Sequence, residues 1–339
     1  MPEQASRGEV AGVLAKSETH SLNWVTILAA TDLSANSQVA VEYARSLAKL
    51  TQGTIILLHV FEPPVVASRP DIYFLSRDAT FELEAVQLAA LERLHSLRDE
   101  LDSSQVSCSS SMRIGAPYEE IVDEAETRQA DLIVVGTQGR SAMGKFLMGS
   151  TAERVCRHAP CSVLVVRHES VSHELDSSFA ITRELKLGKI LVPTDLSENS
   201  LTAINYAAGL AKPTSAHLAL FHVFQIPDYV MSTNISLSAG AAQSDLAVAQ
   251  CKALDRLQSL REAVTASGVN CDAEMRTGVP YQEIIEETER MAPDLIVVGT
   301  QGATGVARYL LGSTAERIVR HSKCPVLVAR DSSKHQGKA

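Results

Sequence analysis

No run of apolar residues in the chain approaches the ~18 that a membrane span requires. The first twenty residues, Met1–His20, hold no apolar block of the secretory kind. A soluble cytoplasmic protein with no membrane partner is therefore expected. A block of one charge is missing as well: 31 Lys and Arg stand against 40 Asp and Glu, for a formal net charge of −9. That argues against nucleic acid as a partner, because neutralising phosphates takes a concentrated basic face. Metal-ligand spacings are also absent. The cysteines at 108, 156, 161, 251, 271 and 324 form no C-x-x-C, and the ten histidines form no H-x-x-H or H-E-x-x-H. Cysteines lying in or beside apolar strands are expected to act as small buried hydrophobes.

What the chain does contain is a copy of itself. Asp32 and Asp195, His59 and His222, Cys108 and Cys271, Pro117 and Pro280, Gly136 and Gly299, Gly149 and Gly312, and Cys161 and Cys324 are each 163 positions apart. A period this long marks a duplicated domain rather than a solenoid, and 339 residues suit two domains. Copy one runs over 22–168 and copy two over 185–331. A polar linker at 169–184 separates them, and tails occupy 1–21 and 332–339.

Within copy one, Val25–Ala30 is a continuous apolar run that closes on Thr31-Asp32-Leu33-Ser34, matched by Ile190–Pro193 and Thr194-Asp195-Leu196-Ser197. Unbroken rather than alternating apolarity suggests strands covered on both faces. Further strands are expected over 54–60, 106–113, 132–135 and 162–166. Helices are expected after Ser34, over 77–101, from Pro117 and from about Thr151, with Ser34 and Ser197 as N-caps. The first helix would bury Ala40, Tyr43, Ala44 and Leu47, matched by Ala203, Tyr206, Ala207 and Leu210. A long loop over 61–76 carries Pro63, Pro64, Pro70, Tyr73 and Phe74 and is a candidate lid or plain surface loop. Strands alternating with helices imply an α/β fold of two repeated Rossmann-like or flavodoxin-like domains. Each would have a five-stranded parallel sheet of order 3-2-1-4-5 with helices on both faces.

In such a sheet, ligands bind beyond the C-terminal strand ends where the strand order reverses. That point brings Asp32 toward Gly136-Thr137-Gln138-Gly139 and the helix opening at Gly149-Ser150-Thr151. In copy two it brings Asp195 toward Gly299-Thr300-Gln301-Gly302 and Gly312-Ser313-Thr314. Glycines let the backbone approach an anion, and a helix start supplies N–H donors and a positive dipole end. Ser150 with Glu153, and Ser313 with Glu316, also spell capping boxes, so a plain turn-and-cap reading stands beside the binding one. Gly139–Lys145 spells G-x-x-x-x-G-K, but Phe146 replaces the Ser or Thr of a Walker loop, and copy two has Ala307-Arg308 there. No triad, carboxylate pair or metal cluster suggests catalysis. The competing readings are a scaffold joined through the strands Cys161–Arg167 and Cys324–Arg330, and Asp32 as a phospho-acceptor. The latter lacks an evident acidic pair and later lysine.

Gly136-x2-Gly139-x9-Gly149-Ser150 and its copy Gly299-x2-Gly302-x9-Gly312-Ser313 resemble the nucleotide-binding signature of the universal stress protein family. Thr31-Asp32, Thr194-Asp195, the His59-Val60 and His222-Val223 strand ends, and Cys-x-Val-Leu-Val at the last strand of each copy fit it too. The resemblance covers nearly all of both halves. It implies a stress-response or regulatory binder of ATP or another adenine nucleotide, with or without Mg2+, and with slow or no hydrolysis. It places adenine at Asp32 and the backbone near Val60, ribose and phosphates at Gly136 and Gly139, and the phosphate tail at Gly149, Ser150 and Thr151. The second site would use Asp195, Val223, Gly299, Gly302, Gly312, Ser313 and Thr314. It also implies pairing through the last strands, as a homodimer or as a pseudo-dimer of the two halves. The copies differ at Ala30, where copy two has Pro193, the more usual family residue. They differ again at Arg140, where copy two has Ala303. Lys145 and Arg308 keep a cation in both copies, so the extra Arg140 predicts tighter triphosphate binding at the first site.

Overall fold

The computed structural model describes residues 22, 24–62, 77–137, 148–167, 187–226, 239–300 and 311–331, by backbone alone at 77–83 and 239–243. Gln138, Gly139, Arg140, Lys145, Gln301, Gly302, Ala303 and Arg308, the segment 63–76, the linker and both tails lie outside the described residues. The chain divides into two compact units, one containing 24–167 and the other 187–329.

The first unit runs β1 (Thr26–Thr31), α1 (Ala35–Thr51), β2 (Thr54–Phe61), α2 (Arg77–Ser103), β3 (Cys108–Ile114), α3 (Pro117–Thr127), β4 (Leu132–Gly136), α4 (Ser150–His158) and β5 (Ser162–Val166). Ile27, Leu28, Ala29, Ile55, Leu57, Leu58, Leu132, Ile133 and Val134 have no exposed surface, so the inner strands are covered on both faces. Each large aliphatic side chain buried there contributes about 1.5–3 kcal/mol relative to exposure. All pairings are parallel. β1 lies between β2 and β4, β3 lies outside β2, and β5 lies outside β4, giving the order β3-β2-β1-β4-β5. Parallel neighbours need crossover helices. α1 packs on β1 and β4, α2 on β2 and β3, and α3 on β2 and α4. Ala40, Ala44 and Leu47 of α1 are buried, while Tyr43 is half-buried at the margin.

The second unit repeats this plan with β6 (Lys189–Thr194), α5 (Glu198–Thr214), β7 (His217–Phe224), α6 (Ala239–Ala266), β8 (Cys271–Thr277), α7 (Pro280–Met291), β9 (Leu295–Gly299), α8 (Ser313–His321) and β10 (Val326–Ala329). Its order is β8-β7-β6-β9-β10, again all parallel. Ala203, Ala207 and Leu210 of α5 are buried, with Tyr206 at the margin.

The strands at one margin of each sheet, β3 and β8, differ in character from the rest. β3 reads Cys-Ser-Ser-Ser-Met-Arg-Ile and β8 reads Cys-Asp-Ala-Glu-Met-Arg-Thr, and most of their residues are half-buried or exposed. Each arginine reaches onto the helix that follows. Arg113 pairs with Glu120 at 2.8 Å, Asp123 at 2.5 Å and Glu124 at 3.2 Å. Arg276 pairs with Glu274 at 2.7 Å and with the buried Glu287 at 2.5 Å, and its guanidinium lies 5.2 Å from the Phe221 ring centre. Of the cysteines in or beside strands, Cys161 and Cys271 are buried and Cys108 and Cys324 half-buried; on the helices, Cys156 is buried and Cys251 on α6 is exposed. Among the described residues no helix is long and apolar enough to cross a membrane.

Candidate functional site

The reversal point of each sheet falls between its first and fourth strands, here β1 and β4. Their register pairs Ala29 with Val134, so Asp32 and Thr137 each stand three residues further on, side by side beyond the strand ends. In the second unit β6 and β9 are neighbours in the same way, with Leu191 opposite Ile296, and Asp195 and Thr300 follow those strands.

Asp32 sits in a tightly tied turn. Its Oδ1 accepts from the Ser34 N–H at 3.0 Å and the Ser34 hydroxyl at 2.5 Å. Leu33 between them is buried and held at φ 63°. A left-handed leucine costs about 1–2 kcal/mol, and such strain persists only where neighbours over-determine it. They do here. The Leu33 N–H donates to Thr31 Oγ1 at 3.0 Å, Thr31 Oγ1 lies 2.8 Å from Ser37 Oγ, and Ser37 Oγ donates to the Ser34 carbonyl at 3.0 Å. Since the Ser37 proton goes to that carbonyl, Thr31 is the donor to Ser37, and the proton direction is settled along the relay. The Thr31 carbonyl is held from β2 by His59 Nδ1 at 2.9 Å.

The second unit repeats each link. Ser197 donates to Asp195 Oδ1 through N–H at 3.0 Å and Oγ at 2.6 Å. Leu196 has φ 63°, and its N–H reaches Thr194 Oγ1 at 3.0 Å. Thr194 Oγ1 lies 2.9 Å from Ser200 Oγ, Ser200 donates to the Ser197 carbonyl at 2.7 Å, and His222 Nδ1 lies 2.8 Å from the Thr194 carbonyl. Asp32 is half-buried whereas Asp195 is exposed. Ser34 caps α1, accepting from the Ser37 N–H, but Ser197 at the start of α5 makes no side-chain cap bond.

Across the reversal point stands the start of α4. The expected capping box does not form, because Gly149 rather than Ser150 occupies the N-cap and no side chain caps the helix. Glu153 instead turns along the helix to Arg157 at 3.0 Å, and Glu316 likewise turns to Arg320 at 3.3 Å on α8. The Gly149 N–H donates to the Thr137 carbonyl at 2.7 Å, and buried Thr137 donates its own N–H to Val166 at 2.9 Å. Thr137 thus ties the ends of β4 and β5 to the helix. Gly149 keeps its place near the strand end, but its N–H is committed. The first bond inside α4 runs from the Glu153 N–H to the Gly149 carbonyl. The N–H groups of Ser150, Thr151 and Ala152 therefore have no acceptor within the helix and carry its positive dipole end. Ser150 is exposed and Thr151 half-buried, as are Ser313 and Thr314 on α8.

The two cap glycines have different surroundings. Both have ordinary φ, −64° at Gly149 and −60° at Gly312. A Cβ at Gly149 would lie 2.9 Å from the Thr137 carbonyl oxygen, so the fold itself requires glycine there. Among the described residues a Cβ at Gly312 would meet the Thr300 oxygen at 3.5 Å, an ordinary contact. Among the described residues no neighbour demands glycine at 312.

Of the remaining expected site residues, Gly136 and Gly299 end β4 and β9 half-buried, and Val60 and Val223 lie near the ends of β2 and β7, half-buried and buried. Thr31, Asp32, Val60, Gly136, Thr137, Gly149, Ser150 and Thr151 all fall at the C-terminal end of one sheet, as do Thr194, Asp195, Val223, Gly299, Thr300, Gly312, Ser313 and Thr314 in the other. The glycine loops' own Gln138, Gly139, Arg140, Gln301 and Gly302 lie outside the described residues. Ser37 and Ser200 are not among the residues expected from sequence; the signal for them was there in Thr-Asp-Leu-Ser-x-x-Ser, present in both copies.

The universal stress protein family model matches residues 24–167 and 186–330. A universal stress protein of Methanocaldococcus jannaschii is 36% identical over 147 residues, covering 43% of this chain and 84% of that protein. A universal stress protein of Mycobacterium tuberculosis is 26% identical over 320 residues, covering 90% of this chain and 96% of that protein. The crystal structure of a universal stress protein from Archaeoglobus fulgidus superposes with a TM-score of 0.63 at 22% identity, covering 94% of this chain and all of that one. The chain belongs to the universal stress protein family and carries two such domains in tandem.

Proposed function

We propose that each domain binds ATP or another adenine nucleotide, and that the protein is a regulatory binder in the stress response with slow or no hydrolysis. The observation that carries this reading is the pairing, in both units, of an acidic turn after the first strand with an uncapped helix N-terminus after the fourth. A carboxylate accepts hydrogen bonds from an exocyclic amine, and helix N–H groups receive phosphate. A glycine at 149 and at 312, opening the helix, suits the close approach of a phosphate to bare backbone. Mg2+ would accompany the phosphates rather than take a protein cage, since it keeps most of its waters and binds through phosphate oxygens. A cytoplasmic setting and assembly through the last strands belong to the same reading. So does tighter triphosphate binding at the first site, through Arg140.

The test is a mass spectrum of small molecules released from the purified chain, followed by calorimetric titration with ATP, ADP and cyclic AMP. Two binding events are expected. Asp32→Ala and Asp195→Ala should each weaken one of them roughly ten- to a hundredfold, the value of a hydrogen bond to a charged group. No released nucleotide and no heat from any of the three ligands would sink the reading.

A further inference from the structure

Two buried histidines sit beside the acidic turns. His59 and His222 stand opposite Thr31 and Thr194 in the strand register. Each places Nδ1 on the carbonyl of that threonine, at 2.9 Å and 2.8 Å. A carbonyl oxygen only accepts, so Nδ1 carries the proton in both rings, and protonation at Nε2 would leave the bond in place. The carbonyl in question belongs to the peptide that leads directly into Asp32 or Asp195. The hydroxyl of the same threonine holds the left-handed leucine on the other side of the aspartate. The threonine is therefore gripped at two points, the carbonyl from the neighbouring strand and the hydroxyl from within the turn.

The geometry points to His59 and His222 as positioning residues for the nucleotide site: each fixes the peptide before the aspartate, and so the direction in which the carboxylate faces its ligand. This rests on the nucleotide reading above. Duplication supports it, since each link recurs 163 positions on with distances that agree within 0.3 Å. A strand-end histidine serving only to fill space would be replaceable by any side chain of similar bulk. A positioning histidine is replaceable only where the δ donor survives.

Asparagine and leucine have the same branched shape, and only asparagine carries an N–H where His Nδ1 stands. The test compares His59→Asn with His59→Leu in full-length chain carrying Asp195→Ala, which weakens the second site so that the first is read apart. Amide exchange at Leu33 and Ser34 is read without nucleotide, and ATP affinity by calorimetry. The leucine variant should exchange faster at both amides and bind ATP about tenfold more weakly than the parent, with asparagine recovering most of each loss. Equal behaviour of the two variants, in exchange or in affinity, overturns the proposal. If the Asp195→Ala chain with His59 intact binds no adenine nucleotide, the nucleotide reading fails. The exchange comparison still decides whether His59 holds the turn.

Discussion

Gly149 and Gly312 look interchangeable in sequence and are not. At Gly149 a methyl group would be driven to 2.9 Å from a backbone carbonyl, and the strand end it would push is anchored through Thr137 to β5. Gly149→Ala should therefore destabilise the first domain by about 1–3 kcal/mol, the usual cost of overpacking. Gly312→Ala should fall within about 0.5 kcal/mol of the parent and instead lower nucleotide affinity at the second site. Thermal unfolding without ligand, set beside ATP titration, reads both; a matched loss of stability in the two variants would refute the distinction. At this scale sequence was an uneven guide. S-x-x-E at 150–153 spells a capping box, yet Gly149 takes the cap because the chain must pass close to Thr137. The left-handed leucines at 33 and 196 carry no glycine or asparagine to announce them. Only the relay of hydroxyls around them, a tertiary fact, makes the conformation tolerable.

At the scale of elements, the strands were legible because unbroken runs such as Leu-Ile-Val-Val have few other homes than a doubly covered sheet. What could not be read was how the outer strands are held. The buried Glu287 of α7 takes Arg276 from β8 at 2.5 Å and Arg290 from its own helix at 2.7 Å. Arg276 is mostly sheltered, whereas the Arg290 side chain is 62% exposed. Arg276→Met should cost about 3 kcal/mol by leaving a buried carboxylate poorly matched, and Arg290→Met about 1 kcal/mol or less. Adding Glu287→Leu to Arg276→Met should return much of the loss, since an apolar pair avoids the desolvation that the ions suffer. Urea unfolding of the three variants checks the ranking. A double variant no better than Arg276→Met would show that the loss lies in packing against Phe221.

Across the whole molecule the thiols report how well the two cores are sealed. Burial pushes Cys156 and Cys161 up to about 12. Burial, with Asp102 and Asp272 adding to it, does the same for Cys108 and Cys271. Their folded values lie above the ordinary ~8.5 of an unfolded cysteine. Their contribution to stability is thus complete below about pH 8.5 and is lost as the pH rises toward 12. Unfolding midpoints in urea should fall between pH 8 and pH 10, and by less in a chain with Cys156 and Cys161 changed to alanine. In the native protein at pH 8, iodoacetamide should modify exposed Cys251 well before Cys156 or Cys161. Peptide mapping of a time course reads the order, and early modification of Cys156 would contradict the sealed core.

The polar marginal strands β3 and β8 carry one more consequence. β3 offers three serines in succession, and β8 offers Asp272, Glu274 and Arg276, with the arginines of both strands drawn away onto the next helix. An extended segment of another chain that meets either margin finds polar and charged side chains where an apolar ladder would be needed to continue the hydrogen-bonded array. Heating or crowding therefore has little purchase for recruiting this protein into edge-to-edge fibres through β3 or β8. The apolar strands β1, β2 and β4 of the first unit, and β6, β7 and β9 of the second, have a hydrogen-bonded neighbour on either side, which leaves them no free edge from which such growth could start.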